Sequence, residues 1–377
     1  MLKTSLLLSL AAATAIAGNN TVAPSKTTVP VTDDWCKSLW EIPTFYKNKD
    51  TFIQELRLIG RFHLDQYNND SAAGHDSDWV TRRTRVGLTG KFADHFEFKY
   101  EMSFDLQNDN PAYSIINHAN ITWKPSDTFK LRIGKGNMPM TMDGAGSTNE
   151  LLTLERSNTY YNLGQPTEYF SSILATGKSG QWSYNLGVAS AETNKEFGNF
   201  AGGYFGLASA GYDFAPNLGA KKALLRADYV YNQPDAQSNG VRQNENMGAL
   251  VFLYEQGNWG VHSQIVGTTG YRGQSDAWGA DIMPFYNITD KLQVVARYTH
   301  MESQDANGLR LNNRYQGTLV GGRGDEYDEV YAGLNYYICG HKLKLQTGWA
   351  YTTMQDSAND GGRYDGWSWN SGLRFSF

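Results

Sequence analysis

The chain has 377 residues, enough for one large domain or two of ordinary size. It contains 39 glycines, 13% aromatic residues and only 10 prolines, and its mean hydropathy is −0.51, a composition typical of a secreted β protein or a transmembrane barrel. The formal net charge of −5 gives no reason to expect a nucleic-acid partner.

The first 17 residues, MLKTSLLLSLAAATAIA, have the features of a targeting segment. Lys3 is followed by an apolar run from Leu6 to Ala17 and by a small-x-small end. This pattern predicts a secretory signal peptide, residues 1–17, that is cleaved on export, and a buried N-terminal helix is the alternative. No run of about 18 apolar residues follows, so the sequence could span a membrane only as a closed β-barrel.

Residues 18–50 show no strand periodicity and are predicted to form a periplasmic N-terminal segment. From residue 51 to residue 377, polar and apolar residues alternate with a period of two. In FEFKYEMSFDL, residues 96–106, the even-numbered positions are apolar and the odd-numbered positions are polar or charged. Charged inner faces combined with apolar outer faces that end in Tyr and Trp are typical of a transmembrane barrel, and a soluble secreted β protein is the alternative.

The connections between the predicted strands alternate between short and long. The short ones are residues 93–95, 125–127, 179–180, 257–258, 287–290 and 339–340, and the long ones are 68–78, 136–165, 193–203, 234–243, 302–324 and 355–363. Outer-membrane barrels alternate in the same way, with short turns on the periplasmic side and long loops on the external side. The count predicts an all-β, antiparallel barrel of about 16 strands with an aqueous interior.

The stretch WNSGLRFSF, residues 369–377, is predicted to be the last strand, pairing with residues 51–67 to close the barrel. The side chains expected to face lipid are Trp369, Leu373, Phe375 and Phe377, and those expected to face water are Asn370, Arg374 and Ser376. The alternate apolar residues Leu373, Phe375 and Phe377 also resemble the assembly signal read by the bacterial barrel-assembly machinery.

The two cysteines are far apart in the sequence, Cys36 in the N-terminal segment and Cys339 in a short turn. Both are expected on the periplasmic side, an oxidising compartment. A disulfide is therefore favoured over two free thiols, although its geometry stays open.

Four stretches resemble the phosphate-selective porin O and P family in their order and spacing. They are IGRFHLDQY at 59–67, WVTRRTRVGLTGKFADHFEFKYEMSFDL at 79–106, FKLRIGKGNMPM at 129–140 and STNELLTLERS at 147–157. The resemblance implies a homotrimer of sixteen-stranded outer-membrane barrels, each with a long third loop folded into the lumen. It places that loop at residues 136–165 and implies that Arg61, Arg83, Lys99 and Arg156 line the constriction.

The period-two pattern also points Arg61 and Lys99 inward, with Arg85 on the same face as Arg83. Lys130 and Arg132 lie on the strand before the third loop, and they complete the predicted pore-lining set. Such a cluster favours anions because fixed positive charge in a narrow pore lowers their dehydration cost. For each residue alone, an ion pair with a wall carboxylate is the alternative.

The phosphate-specific members of the family carry lysines on the third loop. The corresponding stretch here, DGAGSTNELL at residues 143–152, contains no lysine. We therefore expect a modest anion preference or near-general permeability rather than a strong phosphate site. The predicted function is passive diffusion of small hydrophilic or anionic solutes through a porin of the bacterial outer membrane. No cofactor, metal, nucleic-acid partner or catalytic residue is expected, and neither G-x-S-x-G nor H-E-x-x-H occurs.

Outer-membrane lipid or lipopolysaccharide and the barrel-assembly machinery are the further expected partners. The alternative function is a barrel that acts mainly as a surface adhesion protein. Its binding surface would be the long loops at residues 193–203 and 302–324.

Overall fold

The computed structural model of the protein describes residues 34–41, 43–107, 112–164, 169–193, 195–234, 242–312 and 314–377. The predicted signal peptide, residues 1–17, lies outside these ranges. The strands within them are β1 Thr44–Lys47, β2 Ile53–Ser71, β3 Gly74–Phe92, β4 Phe96–Phe104, β5 Tyr113–Ser126, β6 Phe129–Asn137, β7 Tyr169–Ser179, β8 Trp182–Ser190, β9 Tyr204–Asp213, β10 Lys222–Asn232, β11 Asn244–Gln256, β12 Trp259–Gly270, β13 Ala277–Asn287, β14 Leu292–Ser303, β15 Leu309–Arg310, β16 Arg323–Gly324, β17 Glu326–Tyr337, β18 Leu343–Gln355 and β19 Tyr364–Ser376. The helical elements are α1 Asp34–Glu41, α2 Met142–Ala145 and α3 Ala215–Leu218, a π-helical turn Tyr160–Gly164, and 3₁₀ turns Phe200–Gly202 and Gln316–Thr318. None of the helices in the described ranges is long and apolar enough to cross a membrane.

Sixteen strands, β2–β14 and β17–β19, form one closed antiparallel barrel. Each strand pairs with its neighbours in this series, β14 pairs with β17, and β19 returns to β2. Strand β1 adds a short pairing to the start of β2, and β15 and β16 form a separate pair. The structure confirms the predicted all-β antiparallel barrel of about 16 strands. Closure pairs every strand on both sides, which the hydrocarbon region of a bilayer requires.

The predicted alternation of faces is clearest in the second half of the barrel, as the burial of β10, β13, β17 and β19 shows. In β19, Trp367 and Trp369 are 60% and 42% exposed on the outer face, whereas Ser368 and Asn370 are buried on the inner face. Large apolar side chains are exposed on the outer face in the same way around the barrel. This arrangement is stable only where the outer face meets lipid, because so much exposed apolar surface would be costly in water.

Tight turns join the strands at the end opposite the long loops. Gly180, Gly257 and Gly340 have φ values of 56°, 56° and 58° in three of these turns, a conformation that glycine adopts without strain. The predicted long loop at residues 68–78 is wrong, because β2 and β3 continue to Ser71 and from Gly74. Polar residues there complete a long hairpin, since a strand extending beyond the lipid needs no apolar face.

The last residue of the sequence extends the β19–β2 pairing. The Phe377 N–H donates to Gly60 O at 3.0 Å, and the Gly60 N–H donates to Phe377 O at 3.1 Å. The Phe377 ring lies against Gly60, where a Cβ atom would be only 2.4 Å from the ring. The proposed role of Phe377, Phe375 and Leu373 as an assembly signal stays a prediction.

The N-terminal segment is attached to the barrel in two places. Strand β1 pairs with residues 55–57 of β2, and Cys36 in α1 forms a disulfide with Cys339 in the turn between β17 and β18. The Cα atoms of the two cysteines are 5.4 Å apart, and both residues are buried. Helix α1 is therefore held at the end of the barrel where the short turns lie.

We expect that neither Cys36 nor Cys339 is alkylated in denatured protein before reduction and that both are alkylated after it, because their thiols are used in the disulfide. Mass spectrometry of the alkylated protein measures this directly. The Cys36→Ser variant is the control, since it leaves Cys339 free to react without reductant. Equal labelling of the wild-type protein before and after reduction would contradict the disulfide.

Candidate functional site

The long connection between β6 and β7, called the third loop below (described over residues 138–164), is bonded to the inner face of the barrel. The Thr141 N–H donates to Asp228 Oδ2 of β10, and the Met142 N–H donates to Gln264 Oε1 of β12, both at 2.8 Å. These partners lie far from the loop in sequence and face inward in the strand register. They fix one end of the third loop to strands β10 and β12 of the barrel wall.

Basic side chains on the inner face hold the middle of the third loop. They donate to main-chain carbonyl oxygens, the pairs being Lys344 Nζ to Leu151 O (2.6 Å), Arg374 Nη2 to Leu154 O (3.0 Å) and Arg297 Nη1 to Glu155 O (3.0 Å). Each of these side chains is buried. A buried main-chain carbonyl without a partner is costly, so these contacts stabilise the loop against strands β14, β18 and β19.

On the near wall, Glu155 of the third loop forms ion pairs with Arg82 and Arg83 of β3. A β-bulge in β3 leaves Arg82 without an opposite residue in β2 and turns both arginines toward the loop. Burial opposes ionisation of Glu155, yet Arg82 and Arg83 hold the pKa of its carboxyl well below the ordinary value. Glu155 is therefore a carboxylate at neutral pH and neutralises part of the arginine charge.

A second carboxylate, Glu101 of β4, is shared by three basic side chains. The distances from Glu101 oxygens are 3.2 Å to Arg61 Nη2, 3.6 Å to Arg85 Nη1 and 3.9 Å to Lys99 Nζ. Arg61 also donates to Thr148 of the third loop, and Arg85 donates to the Tyr169 hydroxyl. Arg82 and Arg83 share Glu155 in the same way, so five basic side chains of this cluster contact the two carboxylates Glu101 and Glu155.

The structure thus brings four of the predicted pore-lining residues together, namely Arg61, Arg83, Arg85 and Lys99. Lys99 keeps a third of its side chain exposed, whereas the three arginines are largely buried. Among these four residues, Lys99 therefore presents its positive charge most directly to water.

The other predicted residues lie in different surroundings. Arg132 faces the same side as Thr122 and donates to Asn137 Oδ1 at 3.2 Å, and it contacts no carboxylate among the described residues. Lys130 is exposed at the start of β6, near a short turn and away from the cluster. Arg156 lies within the third loop, donating to Asp143 O at 3.0 Å and covering the Tyr160 ring at 4.5 Å.

Sequence reasoning missed Arg82, because a strict period of two points it away from Arg83. It also missed the basic side chains of β14, β18 and β19 as partners of the third loop. Their inward direction was readable from the alternation, but the identity of their partners was not.

A further basic group lies near the extracellular loops. Arg310 and Arg323 are paired across β15 and β16, and Arg242 Nε donates to Tyr161 O at 2.6 Å. Within the described ranges, none of the three arginines forms an ion pair with a carboxylate. Burial, followed by the positive charges of Arg310 and Arg323, lowers the pKa of Arg242 to about 10. The approach to the third loop is therefore electropositive as well.

The tripeptide at residues 323–325, Arg-Gly-Asp, could serve adhesion only if it were displayed on an open loop. Instead, Arg323 and Gly324 form strand β16, Gly324 is buried, and Asp325 Oδ1 accepts the Ser357 N–H at 2.8 Å. The structure does not favour the adhesion alternative.

Comparisons with known proteins agree with this geometry. The sequence profile of the family described as phosphate-selective porin O and P matches residues 56–258. A search of curated proteins finds no match.

Several solved structures share the fold. An anion-selective porin from Comamonas acidovorans has a TM-score of 0.60 at 11% identity, covering 85% of this chain and 99% of that one. The outer-membrane channel DcaP of Acinetobacter baumannii has a TM-score of 0.58 at 12% identity, covering 88% and 99%. The trimer form of OmpT from Vibrio cholerae has a TM-score of 0.54 at 11% identity, covering 85% and 99%. The protein is thus similar in fold to outer-membrane channels.

Proposed function

The chain belongs to the phosphate-selective porin O and P family, and from that premise we propose that it is an outer-membrane porin with a modest preference for anions. A closed barrel of sixteen strands encloses an aqueous channel. Small hydrophilic solutes pass through it by passive diffusion. The family and the fold indicate a channel rather than an enzyme.

The anion preference rests on the group of basic side chains at this level, namely the five that share Glu101 and Glu155 together with Arg132. Positive side chains gathered in this way lower the cost of moving an anion past them and raise that cost for a cation. Lys99 and Arg132 have the largest effect in this proposal, because Lys99 is partly exposed and Arg132 contacts no carboxylate among the described residues.

The third loop narrows the channel at this level in our proposal. Its contacts with both walls support this, since they leave less of the inner face to water. The absence of lysine from residues 143–152 argues for modest selectivity rather than a strong phosphate site.

We also propose that the protein assembles as a homotrimer in the outer membrane after cleavage of residues 1–17. The trimer form of the OmpT neighbour supports the assembly, and the barrel and the family support the location. Recognition of residues 373–377 by the barrel-assembly machinery and contact with outer-membrane lipid belong to the same proposal.

Replacing Lys99 and Arg132 by alanine is expected to lower the anion-to-cation permeability ratio markedly. A unit charge about 4 Å from a passing ion contributes about 1 kcal/mol in water. Removing one such charge changes the permeability of the anion by about fivefold, and the anion-to-cation ratio changes by more because the cation responds in the opposite direction. Reversal potentials in a potassium chloride gradient across planar bilayers measure the ratio.

Lys130→Ala is the matched control, because Lys130 carries the same charge at the exposed start of β6. It should leave the ratio close to the wild-type value. An unchanged ratio in the Lys99→Ala/Arg132→Ala protein would refute the proposed source of selectivity, and a wild-type protein that forms no channel at all would refute the porin function itself.

A further inference from the structure

A groove of about 560 Å³, called the rim groove below, lies on the outer surface at the extracellular ends of β10–β14. Tyr229 and Trp278 form its walls and are 50% and 40% exposed on the lipid-facing side. Its floor includes Gly248 and Gly267, where an added Cβ atom would meet no other atom within 4 Å. The groove is therefore open space in a surface that is otherwise covered by large side chains.

The rim groove is amphipathic. Asn246 Oδ1 accepts the Tyr229 hydroxyl at 2.7 Å, and Asn246 Nδ2 donates to Thr269 Oγ1 at 3.0 Å. The Trp278 indole N–H donates to Glu302 Oε2 at 3.1 Å at the other side. Aromatic faces beside amide and carboxylate groups suit a ligand that is polar at one edge and apolar at the other.

A group of metal-competent side chains adjoins the rim groove and is called the rim cluster below. It consists of His300, Glu326 and Asp328, whose possible ligand atoms all lie within 4.8 Å of one another. Glu302 joins the two features, because its other oxygen lies 3.3 Å from His300 Nε2. In the described part of the chain, no Lys or Arg forms an ion pair with Glu302, Glu326 or Asp328, and the basic group beside them is His300, whose Nδ1 lies 2.9 Å from Asp328 Oδ1. One imidazole with two carboxylates is a donor set that suits a divalent cation such as Zn²⁺.

We propose that the rim groove and the rim cluster together bind a phosphorylated glycolipid of the outer leaflet. The sugar and the first carbons of an acyl chain occupy the rim groove, between Tyr229 and Trp278. A phosphate of the same lipid is bound through a divalent cation held by His300, Glu326 and Asp328.

Position and charge select this occupant. Both features face the bilayer at the level where Tyr and Trp side chains mark the membrane interface, which is the depth of lipid head groups. The carboxylates alone would repel a phosphate, so the cation is required to bridge the two. The inference depends on the outer-membrane location in the proposed function, but it does not depend on the anion preference.

The test uses full-length protein purified in detergent, with a bisphosphorylated lipid A as the probe and the same lipid after removal of both phosphates as the comparison. Native mass spectrometry counts the lipids retained with Zn²⁺ and with a chelator. We expect the phosphorylated lipid to be retained about tenfold more tightly with Zn²⁺, about 1.4 kcal/mol. Equal retention of the two lipids, or equal retention with the chelator, would overturn the proposal.

Two variants locate the binding site. Gly267→Leu fills the rim groove, and Gly206→Leu is its matched control, since Gly206 also lies on the outer face with its nearest neighbour at 3.9 Å. His300→Ala/Asp328→Asn removes cation ligands, and Asp365→Asn, at another outward carboxylate bonded to Tyr351, is the control. We expect both test variants to lose lipid retention and both controls to keep it.

All four variants change outward-facing residues, so their conductance should equal that of the wild-type protein and report correct folding. If Gly267→Leu does not fold, His300→Ala/Asp328→Asn still decides the question. Lipid retention by folded His300→Ala/Asp328→Asn equal to wild type would refute the cation bridge. Loss of the oligomer in Gly267→Leu would identify a second copy of the chain as the occupant and overturn the proposal.

Discussion

Replacing residues 142–158 of the third loop by a short glycine–serine connection should raise the single-channel conductance several-fold. The loop is bonded to inward-facing side chains on both sides of the barrel, among them Asp228, Gln264 and Arg297. Without it, the sixteen strands enclose the wide aqueous interior that barrels of this size leave. Planar-bilayer recordings measure the conductance, and swelling of liposomes in sugars of increasing size measures the exclusion limit.

The control is the same replacement in the extracellular loop at residues 357–361, most of which is exposed and none of which bonds to the third loop. That variant should conduct like the wild-type protein. If removal of residues 142–158 leaves both conductance and exclusion limit unchanged, the third loop does not limit permeation, and the channel is narrowed elsewhere.

The second prediction concerns the free energy of unfolding and the pair of strands, β19 and β2, at which the barrel closes. Asp65 of β2 and Arg374 of β19 form an ion pair, and both side chains are almost fully buried. Asp65→Ala leaves the guanidinium without its carboxylate, which typically costs about 3–5 kcal/mol at a buried site. Urea unfolding in lipid vesicles, followed by tryptophan fluorescence, should show this loss of unfolding free energy.

The double variant Asp65→Ala/Arg374→Met should recover much of the loss, because it removes the unpaired charge as well as its partner. Asp365→Ala is the surface control, since the exposed Asp365 carboxylate accepts a hydrogen bond from the Tyr351 hydroxyl on the outer face. A loss below 1 kcal/mol for Asp65→Ala would mean that water replaces the carboxylate at Arg374 and that the ion pair does not stabilise the pairing of β19 with β2.

Most of the fold could be predicted from local sequence pattern. Alternation with a period of two identified the strands and their lipid-facing sides, as β19 illustrates with its exposed tryptophans and buried Ser368 and Asn370. The pattern failed at residues 68–78, where polar composition suggested a loop. There the strands extend beyond the lipid. Their outer face no longer has to be apolar, so the alternation that identifies a strand is absent from the sequence.

The candidate site was predicted less completely. The alternation pointed Arg61 and Lys99 inward, and the structure places them beside Glu101. It could not show that Arg83 is neutralised by Glu155, 72 residues away, or that Lys130 lies apart from the cluster. Such pairings depend on how the third loop contacts the walls, which no local pattern encodes.

The sequence by itself determined the barrel, its approximate strand number and the face of each side chain, because strand geometry repeats every two residues and a bilayer accepts only closed sheets. Only the tertiary structure decided which charges remain available to a solute. The bulge in β3 adds Arg82 to the inner face, and the third loop brings Glu155 to it. Both depend on contacts between residues distant in sequence, and these contacts set the electrostatics of the channel.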